Sequence, residues 1–307
     1  MDNNHELIII GGGPAGLAAG IYAARARIST LLIEKGLPGG QIVNAELVEN
    51  YPGFPNGISG AELVSLMEMQ AVKYGLEITM AEVAGVSANG TDKFIKTDRD
   101  EYNAKAVIIA SGSEYARLNV RGEDEFRGKG VSYCATCDGA FFRDKAVAVI
   151  GGGDVALNDA LFLTRFTSNV KVIHRRDQLR ATKILQERAF AEPSIGFIWD
   201  TVVEAISGEG HVDRLQLRNV KTGAKSALET YGVFIAVGFR PNTGYLSGFL
   251  SLSPEGFVVV NSRLETSVSG IFAAGDIRVG SPRQVVTAVG DGATAAILAQ
   301  DYILSLV

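Results

Sequence analysis

The feature that most constrains the fold is an internal repeat: two segments of the chain follow the same pattern 140 residues apart. Residues 7–34 read LIIIGGGPAGLAAGIYAARARISTLLIE, and residues 147–174 read VAVIGGGDVALNDALFLTRFTSNVKVIH. Each copy has an apolar run, three glycines, a stretch of helical composition and a second apolar run, which predicts a β-α-β unit. The sequence therefore predicts an α/β chain that contains two such units.

The three glycines of each copy begin a G-x-G-x-x-G loop, in which alanine is permitted at the third position. The first glycine allows a tight turn, the second lets a pyrophosphate approach the backbone, and the third allows close packing of helix on strand. A glycine-rich turn without a ligand is the alternative, but the loop occurs twice, each time between a strand pattern and a helix pattern. These positions are Gly11, Gly13 and Gly16 in the first copy, and Gly151, Gly153 and Ala156 in the second.

The residue that ends the second strand differs between the copies. In the first copy it is Glu34, placed to accept a hydrogen bond from a ribose 2′-hydroxyl, as in FAD or NAD. In the second copy it is His174, followed by Arg175 and Arg176, with Arg180 four residues further on. Guanidinium groups pair with a 2′-phosphate, so the second site favours NADP. The alternative for the basic run is a solvated surface.

Two cysteines, Cys134 and Cys137, are the only ones among the 307 residues. In a reducing compartment, a Cys-x-x-Cys pair is more typical of catalysis or metal binding than of a structural disulfide. A zinc site is disfavoured because zinc usually takes four protein ligands. The three histidines, which show no ligand spacing, are His5, His174 and His211.

Composition limits the class of partner and the compartment. The net charge of −5 does not suggest a nucleic-acid-binding protein. No apolar run reaches the roughly 18 residues of a membrane helix. The N-terminus, MDNNHELIIIGGG, lacks the basic region of a signal peptide. We therefore expect a cytoplasmic protein without a nucleic-acid or membrane partner.

Further short apolar runs predict how the domains are threaded. Runs at 107–112, 233–242 and 271–276 read as strands, and Val285 to Leu298 reads as a helix. The run at 271–276 has no nucleotide loop of its own, so it is expected to complete the first domain. The prediction is a discontinuous FAD-binding domain of residues 1–114 and 245–307, into which an NADPH-binding domain of residues 115–244 with the cysteine pair is inserted.

The order of motifs GGGPAG, GGQ, ENYPGF, CATCDG, GGGDVA, HRR, GIFAAGD and RQ closely resembles that of the low-molecular-weight bacterial NADPH-dependent thioredoxin reductases. The likeness runs from about residue 6 to residue 303. It implies two Rossmann-like domains, FAD in the discontinuous domain, NADPH in the inserted domain, and a homodimer. It also implies thioredoxin, or a thioredoxin-like protein, as the partner.

The resemblance also implies the site residues. The expected catalytic residues are Cys134, Cys137 and Asp138. Those expected to bind FAD are Gly11, Gly13, Pro14, Ala15, Gly16, Glu34, Gly40, Gln41, Asn50, Val83, Gly275, Asp276, Arg283 and Gln284. Those expected to bind NADPH are Gly151, Gly153, Asp154, Ala156, His174, Arg175, Arg176 and Arg180.

By the same resemblance, Cys134 attacks the partner disulfide and Cys137 faces the flavin. Asp138 would supply a proton to the departing thiolate of the partner; an ordinary Asp-Gly turn is the alternative reading of its position. Asp276 could also serve as a helix N-cap. Because the thiols and the nicotinamide must reach one flavin in turn, the inserted domain is expected to rotate about hinges near Gly112 and Gly244.

Two readings of the residues after the cysteine pair stay open. Phe141 and Phe142 could form an apolar pocket for the partner, or both could belong to the core. Arg127 and Lys129 could meet an acidic partner surface.

One segment departs from the family, whose usual acidic pair is replaced by Asn158 and Asp159 within residues 157–160. This leaves the preference for NADPH over NADH less constrained than the binding of FAD.

The alternative functions are a dithiol oxidase, a reductase that serves a peroxidase, and a flavin-bound redox sensor. The arginine pair disfavours the oxidase, because an oxidase of dithiols would not need NADP. A peroxidase reductase usually has an additional N-terminal thiol domain, which is not expected here. A sensor would not need both a complete cysteine pair and a second nucleotide loop.

Overall fold

The computed structural model describes residues 3–45 and 47–306, and the chain divides into two compact units. The first unit is built from the residues up to Glu114 and those from Arg240 onward; the second is Tyr115–Phe239. The second unit is therefore inserted between two segments of the first. The sequence-based boundary after residue 244 lies five residues beyond the point at which the chain leaves the second unit.

Helices separate the first strands of each β-α-β unit, and longer runs of strands follow them along the chain. The strands are β1 (Asn4–Ile10), β2 (Thr30–Glu34), β3 (Glu77–Met80), β4 (Val83–Asn89), β5 (Asp92–Thr97), β6 (Glu101–Ile109), β7 (Ser113–Tyr115), β8 (Val131–Ser132), β9 (Val147–Ile150), β10 (Val170–Ile173), β11 (Ile195–Ile198), β12 (Thr201–Ser207), β13 (Arg214–Asn219), β14 (Lys225–Glu229), β15 (Gly232–Ile235), β16 (Phe239–Pro241) and β17 (Ile271–Ala273). The helices are α1 (Pro14–Arg25), α2 (Gly60–Lys73), α3 (Ala135–Asp138), α4 (Asp154–Leu163), α5 (Lys183–Ala191) and α6 (Val285–Leu304). Short 3₁₀ turns cover Gly40–Asn44, Gly139–Phe142, Gly244–Leu246 and Gly275–Ile277.

The first unit is organised around a sheet in the order β3-β2-β1-β6-β5-β4. Strands β3, β2, β1 and β6 are parallel, and β4 and β5 extend the sheet as antiparallel neighbours. Strand β17 pairs in parallel with the last residues of β6. Residues 271–273 of the predicted 271–276 run thus join the sheet of the first unit.

The second unit contains a parallel sheet in the order β11-β10-β9-β15-β8 and an antiparallel sheet of β12, β13 and β14. The parallel sheet reads as continuous apolar runs, and all four residues of β9 and of β15 are buried. Helices α4 and α5 lie on this sheet, since the apolar face of α4 joins the same buried cluster as β9 and β10.

The two β-α-β units predicted from the repeat are present, and their strands pair in the same register. Leu7 pairs with Thr30 in the first unit, and Val147 pairs with Val170 in the second. These residues are related by the 140-residue offset of the sequence repeat. The repeat therefore describes a repeated three-dimensional unit as well as a repeated motif.

The chain passes from one unit to the other on two strands, β7 and β16, which pair with each other. The backbone N–H of Ala116 donates to the carbonyl of Gly238 at 2.9 Å, and that of Asn242 donates to Gly112 at 3.0 Å. Gly112, predicted as a hinge, has a positive φ of 63°, which glycine adopts without strain.

None of the helices in the described residues is both long enough and apolar enough to cross a membrane.

We expect Gly292→Ala to destabilise the protein, because a Cβ atom there would lie 2.0 Å from the carbonyl oxygen of Ala15 on α1. Helices α1 and α6 would have to separate, and overpacking of this kind costs about 3 kcal/mol. The free energy of unfolding in urea measures the effect. The matched control is Gly290→Ala on the same helix, where no atom lies within 4 Å of the new Cβ. Equal stability of the two variants would contradict the packing of α6 on α1.

Candidate active site

Cys134 and Cys137 form a disulfide in the second unit. Their Cα atoms are 5.3 Å apart, because the single helical turn of α3 brings the two side chains to the same side. The N–H groups of Cys137 and Asp138 both donate to the carbonyl of Cys134, at 3.3 and 3.1 Å. Cys137 is exposed, whereas Cys134 is half-buried and has its sulfur 3.3 Å from the hydroxyl of Thr136. The two sulfurs are thus joined on one helical turn, which is the form that a Cys-x-x-Cys pair takes when it is oxidised.

Ser132, which the sequence reasoning missed, connects the disulfide turn to the sheet. Its hydroxyl donates to Oδ2 of Asp138 at 2.6 Å and accepts the N–H of Cys134 at 3.0 Å. The same oxygen is 3.3 Å from the carbonyl of Cys134. The only signal in the sequence is a small hydroxyl residue two positions before a cysteine, which is typical of many ordinary turns.

Tyr133 is anchored by a buried carboxylate. Its hydroxyl donates to Glu123 at 2.6 Å, and Glu123 also accepts the backbone N–H groups of Leu118 and Asn119 at 3.1 and 2.7 Å. Burial, followed by the hydrogen bond to Glu123, raises the pKa of Tyr133. The residue before Cys134 is therefore held by the loop that enters the second unit.

The two phenylalanines after the cysteine pair have different environments. Phe142 is buried and packs edge-on against Phe234, with ring centroids 5.1 Å apart, so it belongs to the core of the second unit. Phe141 is 50% exposed. Of the predicted apolar pocket, only Phe141 lies on the surface. Arg127 stacks over the ring of Tyr133 at 5.5 Å, beside the cysteine pair.

The three glycines of the first loop differ in the space around their Cα atoms. Gly11 has φ of 107°, and a Cβ there would lie 2.5 Å from a carbonyl oxygen. A Cβ on Gly16 would lie 1.8 Å from the carbonyl oxygen of Gly11. A Cβ on Gly13, by contrast, would meet only the Cα of Gly40, at 3.9 Å. The backbone at Gly13 is thus open for a ligand, and Gly40 lies beside it.

Helix α1 begins at the first loop with Pro14 and Ala15, and no side chain caps it through a hydrogen bond. Its first N–H groups are therefore available to an anion. Glu34 ends β2, and its Oε2 accepts the N–H of Gly12 at 2.6 Å. The carboxylate thus lies at the rim of the loop, where the sequence placed it.

The second glycine loop repeats this geometry. A Cβ on Gly151 would lie 2.4 Å from a carbonyl oxygen and 2.8 Å from the Cβ of Ala156, whereas a Cβ on Gly153 would meet no atom within 4 Å. Helix α4 also begins without a side-chain cap. Asp154, its first residue, accepts the N–H of Thr182 at 2.6 Å, which ties the loop to the start of α5. The backbone at Gly153 is therefore the open side of this loop.

His174 takes the place that Glu34 has in the first loop, with its ring against Gly152. It is only 5% exposed, and its Nε2 lies 3.1 Å from the carbonyl of Gln178. Burial and the neighbouring arginines lower the pKa of His174, so the ring is neutral at physiological pH. His174 forms a wall of the loop and is not among the residues that line the cleft beside it.

That cleft is basic. The N–H of Arg180 donates to the carbonyl of Gly152 at 2.7 Å, which holds the arginine segment against the glycine loop. Lys221, which the sequence reasoning missed, comes from the turn between β13 and β14 and pairs with Asp177 and Asp200 at 2.7 and 3.0 Å. The cleft is lined by Arg175, Arg176, Asp177, Gln178, Leu179, Arg180, Asp200, Val220 and Lys221. No sequence signal links Lys221 to the arginines, because it lies on a different sheet.

In the departure from the family pattern on α4, the two polar residues have different environments. Asn158 is exposed, whereas Asp159 is half-buried. Burial raises the pKa of the Asp159 carboxyl from its ordinary value of 3.8 to about 7. Of the two positions that are usually acidic in the family, this chain therefore has a carboxyl group only at the half-buried one, Asp159.

The residues predicted at the flavin end lie close together in the first unit. Asn50 donates to Gln284 at 3.2 Å, although 234 positions separate them in the sequence. Ser281, which is buried, donates to Oδ1 of Asp276 at 2.9 Å and accepts the N–H of Arg283 at 3.2 Å. Burial raises the pKa of Asp276, which the hydrogen bond from Ser281 opposes.

Two residues that support the turn of Asp276, at the predicted flavin end of the site, were not predicted. Arg278 and Asp291 form a two-pronged ion pair at 2.6 and 3.0 Å, and Asp291 also accepts the N–H of Gly275 at 3.0 Å. Gly275 has a φ of 77°, and a Cβ atom on it would lie 2.9 Å from the Cβ of Ala15. The turn that carries Asp276 is thus held against α1 and α6.

The remaining predicted residues of the first unit lie near its loops. Gln41 is exposed in the 3₁₀ turn that follows Gly39, and Val83 is half-buried at the start of β4. Arg283 has φ of 57°, and its guanidinium stacks over Phe257 at 5.2 Å.

Comparison with known proteins agrees with this geometry. The family model described as Pyridine nucleotide-disulphide oxidoreductase matches residues 5–292. The chain is 48% identical over 303 residues to the thioredoxin reductase of Bacillus subtilis (strain 168), covering 98% of this chain and 96% of that protein. Among solved structures, the thioredoxin reductase from Streptococcus pyogenes MGAS5005 has a TM-score of 0.94 at 45% identity, covering 99% of this chain and 100% of that one. The thioredoxin reductase from Giardia duodenalis has a TM-score of 0.94 at 35% identity, with the same coverage.

Asp159→Asn is expected to change how stability depends on pH. The folded protein keeps the proton on Asp159 up to about pH 7, whereas the unfolded chain loses it near pH 4, so stability falls as pH rises through this window. The variant lacks this decrease, so its free energy of unfolding at pH 8 should be about 2 kcal/mol higher than that of the wild type. This is less than the full pKa shift corresponds to, because Asp159 is only half-buried. Urea unfolding between pH 4 and pH 8 measures it.

Glu187→Gln is the control, because it also removes one acidic group, but from an exposed position on α5. If the wild type and Asp159→Asn lose stability equally between pH 4 and pH 8, the carboxyl is ionised throughout and the interpretation is wrong.

Proposed function

This chain belongs to the pyridine nucleotide-disulphide oxidoreductase family, and we propose that it acts in that family as a thioredoxin-disulfide reductase. It passes electrons from NADPH through FAD and the Cys134–Cys137 disulfide to thioredoxin or a thioredoxin-like protein. The observation that carries this proposal is the disulfide on a single helical turn, in the same unit as a glycine loop with a basic cleft. A reductase needs all of these parts, whereas a dithiol oxidase has no use for the cleft.

We propose that FAD binds to the first unit. The open backbone at Gly13 and the uncapped start of α1 suit its pyrophosphate, and Glu34 suits the adenosine ribose. Asp276 and Gln284 suit the ribityl chain and the polar edge of the flavin. The other residues proposed to line this site are Gly11, Pro14, Ala15, Gly16, Gly40, Gln41, Asn50, Val83, Gly275 and Arg283.

NADPH is proposed to bind to the second unit. The open backbone at Gly153 suits its pyrophosphate, and the exposed guanidinium groups of Arg175, Arg176 and Arg180 suit its 2′-phosphate. Lys221 adds a fourth cation to that cleft and is itself neutralised by two carboxylates. Gly151, Asp154, Ala156 and His174 shape the loop. When bound, the two cofactors supply hydride transfer and deliver an electron pair to the disulfide.

The chain's own residues then carry out thiol–disulfide exchange. The Cys134 thiolate attacks one sulfur of the partner disulfide, forming a mixed disulfide and displacing the second sulfur as a thiolate. Asp138 gives its proton to that thiolate. The Cys137 thiolate next attacks the sulfur of Cys134, which restores the Cys134–Cys137 disulfide and displaces the partner's remaining sulfur as a thiolate. That thiolate takes up a proton from solvent, so the partner leaves as a dithiol. The partner gains the electron pair that the cysteine pair loses.

We further propose that the chain works as a homodimer in the cytoplasm. Leu66, Met69 and Val72 form an exposed apolar strip on the outer side of α2, and a second copy of the chain is its proposed occupant. A lone thiol pair that must cycle between dithiol and disulfide suits a reducing compartment.

Cys137→Ser is expected to trap the partner. Without the resolving thiol, the mixed disulfide at Cys134 cannot be released, so NADPH-dependent reduction of thioredoxin falls to background. The substrate for this test is a thioredoxin that keeps only the first cysteine of its pair, activated as a mixed disulfide with a small aryl thiol, so that the Cys134 thiolate displaces the aryl thiolate. Non-reducing electrophoresis and mass spectrometry detect the one-to-one covalent adduct. The matched variant is Cys134→Ser, which should form no adduct. An adduct on Cys134→Ser alone would reverse the assigned roles of the two cysteines.

Arg176→Gln is expected to raise KM for NADPH about tenfold and to leave KM for NADH nearly unchanged, because only NADPH has the 2′-phosphate. Steady-state oxidation of each nucleotide with thioredoxin as acceptor measures this. Lys225→Gln is the control, since Lys225 is exposed on β14 and pairs with Glu204 instead of lining the cleft. An equal rise in KM for both nucleotides would show that the arginine segment does not recognise the phosphate.

A further inference from the structure

Ser132 occupies a junction between the rigid sheet and the disulfide turn. It is the last residue of β8, pairs with Phe234 of β15, and is 5% exposed. Its Cα position is therefore set by the parallel sheet, whereas Asp138 is the last residue of a helix of one turn, Ala135–Asp138. The hydrogen bond of 2.6 Å from Ser132 to Oδ2 of Asp138 joins the two.

We propose that Ser132 is a positioning residue for Asp138, and that its hydroxyl reverses the direction of its hydrogen bond each time Asp138 gains or loses the proton used in exchange. The inference rests on the proposed function, because it concerns the step in which Asp138 protonates the departing thiolate of the partner.

The contacts of the hydroxyl satisfy both protonation states. A serine hydroxyl has one donor and two acceptor lone pairs. When Asp138 is ionised, the hydroxyl donates to its Oδ2 and accepts the N–H of Cys134 at 3.0 Å. When Asp138 carries the proton, the Ser132 hydroxyl accepts a hydrogen bond from the O–H of Asp138 and still accepts the one from the N–H of Cys134. Its own hydrogen then turns to the carbonyl of Cys134, 3.3 Å away.

This arrangement keeps Asp138 beside the disulfide throughout the cycle. A buried donor that could not turn would stabilise only the ionised carboxylate of Asp138, and would therefore make protonation of Asp138 less favourable. A buried alanine would leave Asp138 without this contact in either state. A hydroxyl that can turn about its C–O bond stabilises both states, so proton transfer requires rotation of one hydrogen and no movement of the backbone.

Ser132→Ala is the first test, with a bacterial thioredoxin as substrate and NADPH as donor. We expect kcat/KM for thioredoxin to fall about tenfold, the typical effect of losing a hydrogen bond to a charged group. The hydrogen bond that Ser132 donates to the ionised carboxylate is stronger than the one it accepts from the protonated carboxyl group, because the acceptor is charged. Loss of the hydroxyl therefore destabilises the ionised form more, and should move the pH at which activity falls for want of a proton on Asp138 upward by about one unit. The rate of flavin bleaching by NADPH, followed by stopped-flow absorbance, should stay at the wild-type value.

Thr230→Val is the matched control. Thr230 is also buried in the same unit, and its hydroxyl lies 3.0 Å from two backbone carbonyl oxygens, those of Ala146 before β9 and of Gly232 at the start of β15. It should leave the pH profile unchanged. Ser132→Thr keeps the hydroxyl and should restore the wild-type pH profile even if the added methyl group lowers stability.

A double variant separates positioning from folding. If Ser132 acts through Asp138, adding Ser132→Ala to Asp138→Asn should change neither rate nor pH profile further. Additive losses, or a Ser132→Ala variant with the wild-type pH profile, would overturn the inference while leaving the reductase function standing. A wild-type protein that does not reduce thioredoxin with NADPH would overturn the proposed function itself.

Discussion

A Cβ atom on Gly16 would lie 1.8 Å from the carbonyl oxygen of Gly11, so helix α1 can leave strand β1 at this angle only because that side chain is absent. The close approach points the start of α1 at the open backbone of Gly13, where an anion can bind. Gly292 allows a similar approach of α6 to Ala15, which in turn supports the turn at Gly275. The proposed flavin site therefore depends on backbone packed against backbone, at positions where only glycine fits.

The second unit uses the same packing and adds the thiol chemistry to it. Strands β8, β15, β9 and β10 are parallel, so the segments after them begin at one edge of the sheet. The disulfide turn follows β8, the glycine loop follows β9, and the arginine segment follows β10. Parallel topology thus gathers the redox pair and the nucleotide loop at the same edge of one sheet, although the sequence separates them. Ser132 adds a fixed point, since it belongs to β8 and bonds the residue after the cysteine pair.

Most of the fold and much of the site were predictable, because the features that carry them are local or periodic. The repeat predicted both β-α-β units, since glycine spacing and apolar runs are properties of neighbouring residues, and the structure shows that the strands of both units pair in the same register. Residues that act through distant partners were not predictable. Lys221 reaches the cleft from another sheet, and Ser281 and Asp291 support the turn of Asp276 from different segments. Phe142 looked equally suited to a surface pocket and to the core, and only its packing on Phe234 decided between them.

By itself, the sequence determined the chemistry of this protein: one thiol pair, two glycine loops, and a carboxylate or an arginine run at the end of each second strand. Those assignments depend on residue type and short spacing, which the chain carries without folding. Tertiary structure decided which groups meet. It buried His174 as a wall of the loop, left Cys137 more exposed than Cys134, and turned the hydroxyl of Ser132 toward Asp138. Burial and hydrogen-bond direction depend on atoms from distant segments, so no local pattern contains them.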